Sequence, residues 1–154
     1  MIETVEVNLE ALGRAVKQVQ YRHNRALDSR FATIGTTLAQ WDALRAIDHL
    51  PGASAHKLSL ATFQSDQAFG VLCNRLTTQG LVERRPGFGR RIEHYLTAAG
   101  QAMLSAGHPI MRDVLATSFA ALSNKERALL LSLLQRVVGE EGADFILPTS
   151  KELV

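Results

Sequence analysis

The chain has 154 residues, a net charge of +2, one cysteine, 46% hydrophobic and 21% charged residues. That composition predicts one domain or two packed lobes around a real core, and it excludes low-complexity, fibrous and disulfide-framed classes. No apolar run approaches the ~20 residues of a membrane span and Met1–Glu10 is too acidic for a signal peptide, so a cytoplasmic protein with no membrane partner is expected.

Asn8 to Leu27 has helical spacing, with Leu12, Val16, Val19 and Leu27 on one stripe. Ala32–Gly35 breaks the pattern, and Thr37-Leu38-Ala39-Gln40 offers a capping box for a second helix. That helix points Leu38, Trp41, Leu44 and Ile47 inward and stops at Pro51-Gly52. Ser54 suits the N-cap of a short helix holding Leu58 and Leu60, and Ser65 or Asp66 suits the cap of the next. In that next helix Phe69, Leu72, Cys73 and Leu76 fall at i, i+3, i+4 and i+7, and Gly80 provides a left-handed stop. Short helix, tight turn and second helix make a helix-turn-helix.

A hairpin follows. Ile92, His94 and Leu96 alternate with Arg91, Glu93 and Tyr95, and Pro86-Gly87-Phe88-Gly89 supplies the turn. Between Ser54 and Gly100 stand six cations against three anions, whereas the rest of the chain carries 11 cations and 12 anions. The basic excess therefore gathers at the hairpin, a modest nucleic-acid footprint. Thr97 caps a long helix running to Phe119 with Pro109 inside it, and Ser123-Asn124-Lys125-Glu126 is a capping box for a last helix ending near Gly142. Leu129, Leu130, Leu131, Leu133, Leu134, Val137 and Val138 exceed one narrow stripe on that helix, which predicts a partner surface and a homodimer.

Thr37-x-x-Gln40-Trp41-x-x-Leu44, Asn74-Arg75-Leu76 before Gly80-Leu81-Val82-Glu83-Arg84, Leu96-Thr97-x-x-Gly100 and Leu122-Ser123-x-x-Glu126 occur in one order. Together this set resembles the multiple-antibiotic-resistance regulator (MarR) family of bacterial transcription factors, from about Asn8 to Val138. The resemblance implies a mainly α fold with a small β-hairpin wing, a winged helix-turn-helix dimerised through N- and C-terminal helices. Residues 36–100 would form the DNA-binding region, and 1–35 with 101–154 the dimerisation region. It also implies a pseudo-palindromic operator in double-stranded DNA, most often repressed, and release by a small aromatic or anionic ligand or by oxidation.

With Asp66–Gln79 as recognition helix, the face away from the core carries Gln67, Ala68, Gly70, Val71, Asn74, Arg75 and Thr78. Gln67 and Asn74 suit adenine edges, Ala68 or Val71 a thymine methyl, and Arg75 a phosphate or a guanine. Ser65, Arg84, Arg85, Arg90 and Arg91 complete the expected DNA-binding set. Relatives usually carry Ser or Thr where this chain has Gly70, and Arg where it has Val71. Their wing commonly places an acidic residue before the arginines, where this chain has Gly89 before Arg90-Arg91. Sequence preference is therefore expected to lean on DNA shape and on the wing. The neutral Gly70-Val71 face also fits an alternative, a winged-helix module that binds protein instead of DNA.

Tyr21, Arg22, His23, Trp41 and Arg45 are the candidates for an effector pocket, aromatics for stacking and arginines for an anion; Trp41 equally suits a core anchor. Cys73 lies on a core stripe, where an inert thiol is expected. His49 and His56 do not make a zinc spacing, and no catalytic triad, phosphate loop or carboxylate pair stands in motif context, so neither an enzyme nor a cofactor is expected.

Overall fold

The structure is a computed structural model and describes residues 5–139. Its elements are α1 (Leu9–Phe31), a 3-10 turn (Ala32–Ile34), α2 (Leu38–His49), α3 (Ala55–Ala61), α4 (Asp66–Thr78), β1 (Val82–Pro86), β2 (Ile92–Leu96), α5 (Ala98–Ser118) and α6 (Asn124–Val138). The strands pair antiparallel, with Val82 opposite Leu96 and Pro86 opposite Ile92. This is the expected mainly helical winged helix-turn-helix.

Each helix begins where a short polar side chain can satisfy an orphan backbone donor. Asn8 accepts from Ala11 N, Ser54 from Lys57 N, Ser65 from Ala68 N and Thr97 from Gly100 N. At α6 both halves of the Ser123–Glu126 box form. At α2 only half of the expected box does. Thr37 accepts from Gln40 N, but the Gln40 side chain turns inward and accepts from Thr36 Oγ1, 3.2 Å away. Both partners of that bond are buried, and a buried amide oxygen takes the nearest donor.

Several boundaries differ from the sequence expectation. α1 extends to Phe31, because Phe31 and Leu27 pack into the core and hold the last turn. α6 stops at Val138, where Gly139 adopts φ +74, short of Gly142, which lies outside the described residues. Phe119 caps α5 instead of continuing it. Leu60 is half-exposed, since a helix of seven residues has one inward stripe and Leu58 occupies it. Ile92 is also half-exposed, because only the inner end of the hairpin reaches the core, at Val82 and His94.

The core is centred on Trp41. Its ring stacks on Phe31 at 5.3 Å, and its Nε1 donates to Leu104 O, 3.2 Å away on α5. Gly107 lets α5 come this close, for a Cβ there would overlap the indole nitrogen. Gly100 serves likewise, since a Cβ would overlap Leu81 O. Burial of Phe31 alone is worth about 3 kcal/mol.

The two terminal helices are different. Leu12, Val16 and Val19 of α1 are half-exposed, and no residue of α6 is buried. α6 is therefore not enclosed by the other described residues of the protomer. No helix among them is long and apolar enough to cross a membrane.

Candidate nucleic-acid interface

Ser65 opens α4, and of the expected core stripe Phe69, Cys73 and Leu76 are buried while Leu72 is partly buried against them. By helical geometry Gln67, Ala68, Val71, Asn74 and Arg75 are left on the outer side, and all five are exposed. A Cβ on Gly70 would meet nothing within 4 Å, so the glycine is not required by packing inside the chain. The helix N-terminus carries Asp66, whose carboxylate accepts from Ser59 Oγ at 2.6 Å and lies 3.0 Å from His56 Nδ1. These bonds, Ser59 first and His56 second, hold Asp66 below the ordinary carboxylate range. They also tie α3 to α4 and fix the turn, in which Phe63 takes a left-handed φ of +56.

The hairpin is fastened to the helices by side chains that its sequence alone does not reveal. Arg84 Nη2 donates to Asn74 Oδ1 at 2.6 Å, a direct bond between wing and recognition helix. His94, 2% exposed, donates from Nδ1 to Ala53 O at 2.8 Å, for a carbonyl can only accept. The Cys73 thiol beside its ring raises the imidazole's proton affinity. Burial acts to raise the Cys73 thiol, but the bonds from His94 and Arg84 outweigh it and hold it below its ordinary value. Gly52 N donates to His94 O at 2.9 Å, so the α2–α3 loop, α4 and β2 are joined at one place. Sequence alternation did mark His94 as inward, but Ala53 and Gly52, its hydrogen-bond partners, lie 41 and 42 positions away.

The four wing arginines divide into two pairs. Arg85 bonds Glu83 Oε2 at 3.0 Å and lies 4.4 Å over the Tyr95 ring, so much of its charge is answered within the hairpin. Arg84 is held on Asn74. Arg91 reaches Gly52 O at a marginal 3.5 Å, and Arg90 stands exposed at the tip. The turn itself is closed by Gly87 N donating to Arg91 O at 2.8 Å, with Gly89 at φ +67.

The five effector candidates fall into two groups. Trp41 and Arg45 are together, the guanidinium 5.9 Å from the ring, with His108 edge-on to the indole at 5.1 Å. His23 instead meets Ser118 Oγ at 2.5 Å and the Phe119 ring, ten residues along α5 from His108, or about 15 Å of helix. Tyr21 is half-exposed and accepts from Arg25, and Arg22 is exposed beside it. His108, which the sequence did not single out, is held below its ordinary proton affinity by burial and by Arg112 and Arg45.

This architecture has relatives. The sequence model of the MarR family matches residues 34–92, the helix-turn-helix and most of the wing. The transcriptional regulator HosA of Escherichia coli O111:H- is 30% identical over 104 residues, covering 66% of this chain and 77% of that protein. The chain belongs to the MarR family. Among other MarR family similarities, the HTH-type transcriptional repressor NicR of Pseudomonas putida is 26% identical over 135 residues, 86% of this chain and 85% of that one. A cysteine-to-serine mutant of Escherichia coli MarR, solved in complex with operator DNA, superposes with a TM-score of 0.77 at 25% identity, over 82% of this chain and 93% of that one. A probable transcriptional regulator from Pseudomonas aeruginosa does so at 0.73 and 29% identity, over 81% and 95%. This MarR family chain is thus a transcriptional regulator, as the ordered motifs imply.

Proposed function

We propose that this chain is a homodimeric repressor, acting in the cytoplasm, that binds a pseudo-palindromic operator with α4 in the major groove and the wing against the minor groove. The observation that carries this reading is the Arg84–Asn74 bond: it makes recognition helix and wing one rigid reader, so both address the same duplex. Gln67, Ala68, Val71 and Arg75 then face base edges, with Ser65 at the helix start beside the phosphates. Arg90 and Arg91, the less engaged wing cations, take the minor groove or its phosphates. The operator-bound MarR mutant and the repressor NicR, similar to this chain, support the same reading.

Regions 1–35 and 101–154 supply dimerisation, through the apolar faces of α1 and α6 that the protomer leaves open. A small anionic aromatic ligand releases the operator by docking on the exposed Arg45 and His108, with Trp41, buried in the core, behind them. Tyr21, Arg22 and His23 border that ligand only if the second protomer closes the distance.

The test is in vitro selection of duplexes with the full chain, followed by anisotropy titrations across salt. Arg90→Ala with Arg91→Ala should weaken selected and random duplexes alike and flatten the log–log salt slope by about 2, near 0.9 per phosphate lost. Unchanged slope and affinity would remove the wing from the interface. The exposed Val71 beside Gly70, an uncharged stretch, favours a second reading, a protein-binding module; recovery of no duplex at low salt would select it.

A further inference from the structure

Phe88 is 98% exposed at the very tip of the wing. Nothing in the fold asks for an aromatic ring there. The left-handed residue of the turn is Gly89, and the turn is closed by backbone bonds from Gly87 to Arg91 and from Arg91 to Phe88 O, which any side chain would permit. The ring therefore costs solubility and returns no packing within the chain.

Its surroundings indicate what it meets. Two exposed arginines, Arg90 and Arg91, follow it after Gly89, whereas Arg85 lower on the hairpin is already answered by Glu83. The strand climbs from buried Val82 to Pro86, about 13 Å at ~3.3 Å per residue, so the tip stands well clear of the core. Arg84 fixes the hairpin's base to Asn74 of α4, and so sets where the tip falls once α4 is docked. An apolar ring flanked by cations on a narrow projecting hairpin matches the chemistry of a minor-groove wedge: phosphates attract the arginines, and the ring enters between base pairs.

Resting on the DNA-binding reading above, we infer that Phe88 is a wedge that partly unstacks one base step in the minor groove on each side of the operator. Pyrimidine–purine steps at the wing position are the preferred substrates, because they unstack most readily. Such a contact gives sequence preference at a position without base-edge hydrogen bonds, and it compensates for the uncharged Gly70-Val71 stretch of the recognition helix.

The experiment uses the full chain and duplexes recovered by in vitro selection, with 2-aminopurine substituted in turn at each adenine under the wing. Wild type should raise the fluorescence at one step per half-site, the sign of unstacking. Phe88→Ala should abolish that rise and weaken the selected duplex about tenfold, in the range of base–aromatic stacking. Phe88→Leu, a shorter wedge, should retain part of both. All three should melt alike, since the side chain packs on nothing. A wild type that binds tightly with no fluorescence change, or a Phe88→Ala loss of affinity that leaves the fluorescence rise intact, overturns the wedge alone. A wild type that captures no duplex overturns the DNA-binding reading and the wedge together.

Discussion

Arg84 of the wing and Asn74 of the recognition helix are joined by a 2.6 Å hydrogen bond in which the amide oxygen of Asn74 accepts. A bidentate pair with adenine would need that same oxygen, so in the proposed complex Asn74 would meet DNA chiefly as an N–H donor while its carbonyl holds the wing. The residue proposed to read a base is thus also tied to the hairpin beside it.

Asn74→Asp separates these roles. A carboxylate strengthens the link to Arg84 by no more than about 1 kcal/mol at an exposed site, so the melting temperature should hold or rise slightly. Its charge faces DNA, and affinity for a selected duplex should fall at least about tenfold. Equal affinity of wild type and variant in anisotropy titrations would show that Asn74 does not approach the duplex.

Gly107→Ala should be costly despite a more helix-favouring residue. Alanine gains about 1 kcal/mol of propensity. Against it stand overpacking against Trp41, about 3 kcal/mol, and a weakened Trp41–Leu104 bond, about 1 kcal/mol. A net loss of about 3 kcal/mol is expected in urea unfolding. A neutral result would mean that α5 can shift away from α2 freely.

Leu129→Glu with Leu133→Glu should convert a dimer to monomers while leaving helicity unchanged. Both residues are exposed in the protomer, so the protomer loses no core packing. Two leucines at about 2 kcal/mol each, with charges added, raise the dimer dissociation constant at least about a hundredfold. Sedimentation equilibrium decides; an unaltered dimer would exclude this face of α6 from the interface.

Asp66→Asn should show a pH-dependent cost. Bonds from Ser59 and His56 depress the carboxyl, so its contribution is present at neutral pH and is lost as pH falls through the lowered folded-state value. Wild type should therefore be the more stable at pH 6, and the gap should narrow as the pH is taken below the ordinary carboxylate range. A gap of constant size across that titration would assign the effect to shape instead of charge.

Much of the fold was legible because its signals are local. Serine or threonine caps stand one residue before five of the helices, with Asn8 before α1, and the Phe69–Leu76 stripe turns α4 inward whatever surrounds it. Local signals failed where two segments compete for one atom. Gln40 fits its capping box on spacing alone, yet its side chain bonds Thr36 because burial removed the water that would have let it choose otherwise. The effector candidates show the same limit. Trp41 and His23 look equivalent as aromatic residues on neighbouring helices, but their contacts on α5, His108 and Ser118, lie about three turns apart.

Sequence periodicity, caps and turn residues by themselves determined the order of elements, the inward stripes and the basic hairpin, because each depends on backbone geometry within a few residues. Tertiary structure alone decided which wing arginines are already engaged. Arg84, Arg85, Arg90 and Arg91 carry the same charge on one short hairpin, and only the approach of Asn74, Glu83 and Tyr95 distinguishes them. Charge is a property of the residue. Its availability to DNA depends on which partners the fold brings within about 3 Å.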